Sequence, residues 1–194
     1  MRKINNYTNQ GEIKESEFQI TEDLFIWMIS KILTPSGESI DENEELFITK
    51  IVGFKGWSDD QLAKVVGSGN RIMNALSTLA FLFENEEVMY VKPVVQYNEH
   101  EVELQLKING SIDINFENYV GTFMREHEDR MKSKLTLMTC LEIVPKILSS
   151  YTEECENSIW SKESKASMIN TIGQIIQDKV NEKVSFLQNK SDDN

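Results

Sequence analysis

From residue 21 to 33 the chain reads "TEDLFIWMISKIL", with apolar side chains nearly encircling a helical axis. Thr21 offers an N-cap oxygen, and Glu22 and Asp23 place negative charge in the first turn, where a helix start favours it. A helix that is apolar on almost every side belongs at the centre of a domain or at a subunit interface. Pro35 and Gly37 stop it. In "DENEELFITKIVGF", residues 41–54, four acids precede Leu46, Phe47, Ile48, Ile51 and Val52, which predicts a second helix. "SDDQ" at 58–61 is a capping box opening a third helix, which Gly67-Ser68-Gly69 interrupts. From about Asn70 to Phe83, the residues Ile72, Leu76, Leu79, Ala80 and Phe83 recur at the spacing of one buried helix face.

The period then changes. "VMYVKPVVQY", 88–97, is β-prone, and Pro93 points to an edge strand or a strand start. "EVELQLKINGSIDINF", 101–116, is a hairpin. A three-residue loop, Ile108-Asn109-Gly110, pairs Val102 with Phe116, Leu104 with Ile114 and Leu106 with Ile112, so apolar residues share one face. Gly110 then takes a left-handed conformation without steric cost. Residues 117–150 return to helix, with Pro145 as a kink or break. A polar link, 149–161, leads into a last helix at about 162–188, where Ile169, Ile172, Ile176, Val180, Val184 and Leu187 form one stripe. That stripe packs inside the chain or pairs two copies, with Ile172, Ile176 and Val180 at the seam of a homodimer.

The pattern divides the chain into a flexible segment at 1–18, a core at 19–116, a helical dimerisation or partner-binding part at 117–188, and a frayed tail at 189–194. Hydrophobic residues make up 40% and charged residues 27%, the balance of an ordinary globular protein that needs no metal or disulfide staple. The longest strongly apolar run, Leu24 to Ile29, is far short of the roughly 20 residues of a membrane span. Cys140 and Cys155 have no metal-site spacing, and the polar N-terminus lacks a signal-peptide core, so a cytoplasmic location is expected.

"LAKVVGSGNRIMNALSTL", within 58–79, resembles the helix-turn-helix of DNA-binding proteins, and the strands after it are similar to the winged-helix branch. Leu62, Ala63, Val66, Gly67, Met73 and Leu76 stand at that family's packing positions. Ala63 permits close approach of two helices and Gly67 supplies a sharp turn. The resemblance implies an α+β, predominantly helical fold: a winged-helix-like core, an antiparallel hairpin and long C-terminal helices. It further implies a transcriptional or replication regulator whose second helix meets DNA bases through Asn70, Arg71, Asn74 and Thr78, while Lys50, Lys55 and Lys64 neutralise phosphates.

The net charge of −12 points to a second reading. Outside the local excess of cations at 50–83 the chain is strongly acidic, as in a protein-binding module, inhibitor, immunity protein or DNA mimic acting on a basic protein. His100 and His127 each sit in a Glu-His-Glu triplet, but a strand would turn Glu99 and Glu101 away from His100, so solvated surface is expected there rather than a metal site. His127 falls with Phe123, Met124 and Met131 as a partly packed ring. The methionines at 124, 131 and 138 are expected to be core, and Cys140 inert packing in an apolar helix. No acid/base pair or activated nucleophile stands out, so neither an enzyme nor a cofactor is expected.

Overall fold

The computed structural model describes residues 5–7, 13–15, 19–33, 40, 45–57, 64–68 and 87–192. A short hairpin pairs β1 (Asn5–Tyr7) with β2 (Ile13–Glu15). Helix α1 (Glu22–Leu33) follows, then β3 (Leu46–Trp57), β4 (Lys64–Ser68), β5 (Glu87–Tyr97), β6 (His100–Lys107) and β7 (Ile112–Val120). A 3₁₀ turn at Thr122–Arg125 leads into α2 (Glu128–Met138), a π turn at Thr139–Ile143, α3 (Val144–Glu156) and α4 (Lys162–Asp192). The five longer strands form one antiparallel sheet in the order β4-β3-β5-β6-β7.

This is a mixed α+β fold built on a sheet, which corrects the expectation of a predominantly helical, winged-helix-like core. The expected second helix is β3, the longest strand. Its core residues Leu46, Ile48, Ile51 and Phe54 are all buried. They are spaced by two, three and three because β3 bulges against β5 at Ile48/Lys50 and Ile51/Gly53. A bulge adds one residue to the strand and resets the alternation. The result imitates a helical period, while Ile48, Thr49, Ile51 and Val52 supply the β-branched side chains a pleated surface accommodates.

The interrupted third helix is corrected as well. Lys64 to Ser68 form β4, in which Gly67 pairs with Phe54 and Lys64 with Trp57. An extended chain at Gly67 does not make the turn between two helices that the resemblance required. Ala63, Asn70, Arg71, Asn74 and Thr78 lie outside the described residues, as does the expected helix at 70–83.

Pro93, expected at an edge strand or a strand start, lies within central β5, opposite Ile51 where β3 bulges. The local break in the ladder accommodates a residue without an N–H. The hairpin loop follows the reading: Gly110 has φ 82°, and Leu104 faces Ile114 and Leu106 faces Ile112. The expected Val102–Phe116 pair does not form, since the register shifts between Glu101 and Glu103 and Glu101 faces Val120. The expected helix at 117–150 begins only after β7, and its π turn ends at Ile143, two residues before Pro145.

Helix α1 is central, with Leu24 to Ile29 all buried. Thr21 Oγ1 caps it by accepting from Leu24 N–H at 3.2 Å. One face of the sheet, through Ile51, Phe54, Val91, Val95, Val102, Leu104 and Leu106, packs against α1, Leu135 of α2, Ile147 of α3 and Ile172 of α4 in one cluster. Polar contacts fasten the C-terminal helices to α1. Trp27 Nε1 donates to Glu154 at 2.8 Å, and Lys31 pairs with the same carboxylate at 2.5 Å. Met168 and Ile172 of α4 are buried, whereas Val180, Val184, Phe186 and Leu187 are exposed. Of the proposed dimer seam, Ile172 therefore belongs to the chain's own core.

Candidate protein-interaction edge

β7 is the last strand of the sheet, and its sequence alternates Ile112, Ile114 and Phe116 with Asp113, Asn115 and Glu117. Successive side chains of a strand point to opposite faces. The three apolar ones pack, half-buried, against the core cluster, while Asp113 and Glu117 are exposed. The hairpin turn fixes the register: Lys107 N–H donates to Ser111 O at 3.0 Å, and Asn109 Oδ1 accepts from Ser111 N–H at 3.0 Å.

That register determines where the main chain of β7 points. In an antiparallel ladder, residues that exchange bonds alternate with residues that do not. Since Lys107 and Ser111 bond, Asp113 and Asn115 are the next positions bonded to β6. Ile112 and Ile114 turn their N–H and C=O groups outward, where they meet no partner among the described residues.

A groove of about 490 Å³ runs beside this edge, between Ile114, Asn115, Phe116 and Glu117 of β7 and Glu128, Met131 and Lys132 of α2. Its apolar lining is Ile114, Phe116 and Met131. Its rim carries an ion pair between Lys132 and Glu128 at 2.5 Å, and the ammonium lies 5.9 Å from the Phe116 ring centre. Hydrogen bonding by Lys132 holds the Glu128 carboxyl below its ordinary value, and Glu128 raises that of Lys132 in turn.

The far end of β7 anchors the turn that brings α2 alongside. Tyr119 Oη accepts from Phe123 N–H at 3.1 Å and lies 2.6 Å from His100 Nδ1. One hydrogen lies between these two atoms, supplied by the phenol or by the ring according to the imidazole tautomer. Burial holds His100 below the ordinary histidine value against the pull of Glu99 and Glu142. Burial likewise raises the Tyr119 phenol. Gly121 closes the turn because a Cβ there would fall within 2.6 Å of His100 Nδ1. The imidazole also borders a cleft of about 410 Å³ with Tyr97, Phe123, Lys134, Leu141 and Glu142. There Tyr97 donates to Glu142 at 2.9 Å, and the phenol is raised by burial and by that contact.

The three lysines expected at DNA phosphates fall on two neighbouring strands. Lys50 and Lys55 lie on β3 and Lys64 on β4. Lys50 stands 3.9 Å from Glu101, a carboxylate of the neighbouring sheet surface. His127 is exposed at the start of α2 rather than partly packed. Of the methionines at 124, 131 and 138, only Met138 is buried, and Cys140 is exposed. Among the described residues, no three His, Cys, Asp or Glu side chains converge as metal ligands, and no helix is long and apolar enough to cross a membrane. The edge formed by Ile112 and Ile114 was visible in the sequence only as half of a hairpin. Its position at the margin depends on strand order.

The fold and this margin define an α+β domain whose β7 edge lies beside a groove and meets no partner strand among the described residues. Comparison with family models, with curated proteins and with solved structures finds no match to the chain.

Proposed function

We propose that this protein is a non-enzymatic binding module that captures an extended segment of a protein partner by strand addition along β7. The outward main-chain groups of Ile112 and Ile114, set beside an apolar groove, carry the reading. An unpaired sheet edge is a template for another chain, and a strand added there gains main-chain bonds while its alternate side chains enter pockets. The described residues lining the groove supply packing surface and one ion pair rather than a nucleophile with a tuned base. The reading takes up the acidic-module alternative. The turn between two helices from which the DNA-binding reading was drawn is not formed at Gly67, which lies in β4. The two cysteines are free, and a cytoplasmic setting suits them.

A photo-crosslinking residue at Asn115 in the full chain, expressed in its native cells, identifies the partner segment, which is then synthesised. That segment is expected to slow amide exchange at Ile112 and Ile114 and to lose affinity for Ile114→Pro. That variant removes an outward N–H without breaking the ladder to β6. Equal affinity for a folded Ile114→Pro protein, or protection confined to α4, would overturn the proposal.

A further inference from the structure

The side chains around the β7 edge also select among extended partners, and this step rests on the strand-addition reading. We infer that the captured segment alternates apolar and cationic residues. A strand laid beside β7 places the residues opposite Ile112 and Ile114 on the helix-covered face, in the groove with Phe116 and Met131. Residues opposite Asp113 and Asn115 fall on the other face of the sheet, where successive positions must point.

Near the margin that second face is acidic. On β6 and β7 it carries Glu101, Glu103, Asp113 and Glu117 against Lys107 alone, while Lys50, Lys55 and Lys92 lie on β3 and β5, farther from the edge. Lys107 pairs with Asp113 at 2.6 Å and Asn118 donates to Glu103 at 2.7 Å. Glu117 borders both the groove and the depression on the second face, which is about 440 Å³ and has Val52, Val94 and Val120 in its lining. A lysine or arginine at alternate positions of the added strand would meet this surplus, whereas a glutamate there would add to it. Opposite charges across a strand pair stabilise it and like charges oppose it.

The same rule disfavours a second copy as the occupant. In the register that pairs Ile112 of one copy with Ile114 of another, Asp113 stands directly opposite Asp113. Any pairing of two copies also brings two acidic margins together, so the partner we infer is a different chain, with an alternating apolar and basic strand.

Three labelled eight-residue peptides test this, alternating valine with lysine, with glutamate or with serine, titrated into the full-length protein by fluorescence anisotropy at low and high salt. The valine–lysine peptide is expected to bind at least tenfold more tightly than the valine–glutamate peptide, with the advantage shrinking in high salt. Asp113→Asn combined with Glu117→Gln should remove most of that preference, and Glu117→Lys should reduce it further. Equal binding of all three peptides, lost together in Ile114→Pro, overturns the charge inference and leaves strand addition standing. Lysine-peptide binding that survives unchanged in a folded Ile114→Pro protein overturns strand addition itself. Binding by none of the three overturns the inference, and amide exchange with the crosslinked segment then judges strand addition separately.

Discussion

The carboxylate of Asp23, in the first turn of α1, accepts the indole N–H of Trp160 at 2.7 Å across 137 positions of sequence. It also accepts from Tyr151 at 2.8 Å and pairs with Lys165. One acid thereby ties the start of α1 to α3, to the link after it and to α4. Burial opposes ionisation of Asp23, but the hydrogen bonds from Lys165, Tyr151 and Trp160 outweigh it and hold the carboxyl below 3.8.

Asp23→Ala leaves the Trp160 N–H and the Tyr151 hydroxyl without their acceptor. Losing such a partner costs about 1–3 kcal/mol. Urea unfolding is expected to show that loss, with amide exchange rising first in α4. A variant with native stability and unchanged exchange would show that the apolar contacts alone hold α4 in place.

The Tyr119 phenol serves two neighbours, so Tyr119→Phe strands both Phe123 N–H and His100 Nδ1. The expected destabilisation is again about 1–3 kcal/mol, one hydrogen-bonding hydroxyl's worth. The exchange of amides at residues 121–125 should accelerate more than that in α1. Uniform acceleration throughout the chain would deny the phenol its local role at the turn beside the groove.

Stability is expected to depend on pH through His100. Its folded value lies below 6.5, so as pH falls the unfolded chain takes up the proton first. The contribution is complete above about 6.5 and is lost as pH drops through that value toward the folded one. A protonated ring carries hydrogen on Nδ1 and can only donate to the Tyr119 oxygen. Glu99 and Glu142 face the ring with negative charge and moderate the loss, and Lys134 borders the same cleft. Unfolding midpoints should fall between pH 7 and pH 5 in the native protein and fall less in His100→Gln. Asp23 is separable, because its contribution is present above 3.8 and is lost only as pH falls through its still lower folded value.

Helix α4 should divide energetically along its length. Ile172→Ala removes a fully buried side chain and is expected to cost about 2–5 kcal/mol. Val184→Ala alters an exposed position and should change stability by less than about 0.5 kcal/mol. Equal and large losses at both sites in thermal unfolding would mean that the far end of α4 is packed in solution.

How much of this was legible varied with how local the controlling physics is. The Thr21 cap, the all-round apolar α1 and the Gly110 turn depend on a few neighbouring residues, and each could be read directly. The last helix could be read as one stripe, although the stripe does not say that Ile172 enters the core while Val184 stays outside. β3 was misread because its bulges give core residues a near-helical spacing. Gly67 was misread because a glycine between apolar runs fits a sharp turn as well as a strand. Tyr119 gave no signal, since its partners are His100 on the next strand and a backbone amide beyond the turn.

The sequence by itself determined the local pieces: where α1 starts, where the β6–β7 hairpin turns, which residues alternate along β7, and that the chain is acidic. Only the tertiary structure decided that β7 ends the sheet, that the main-chain groups of Ile112 and Ile114 point away from β6, and that α2 lies alongside to make a groove. Turns and caps are settled by steric and hydrogen-bonding preferences within a few residues. Strand order is settled by which distant apolar faces bury one another, and in this chain the bulges conceal that choice from any local period.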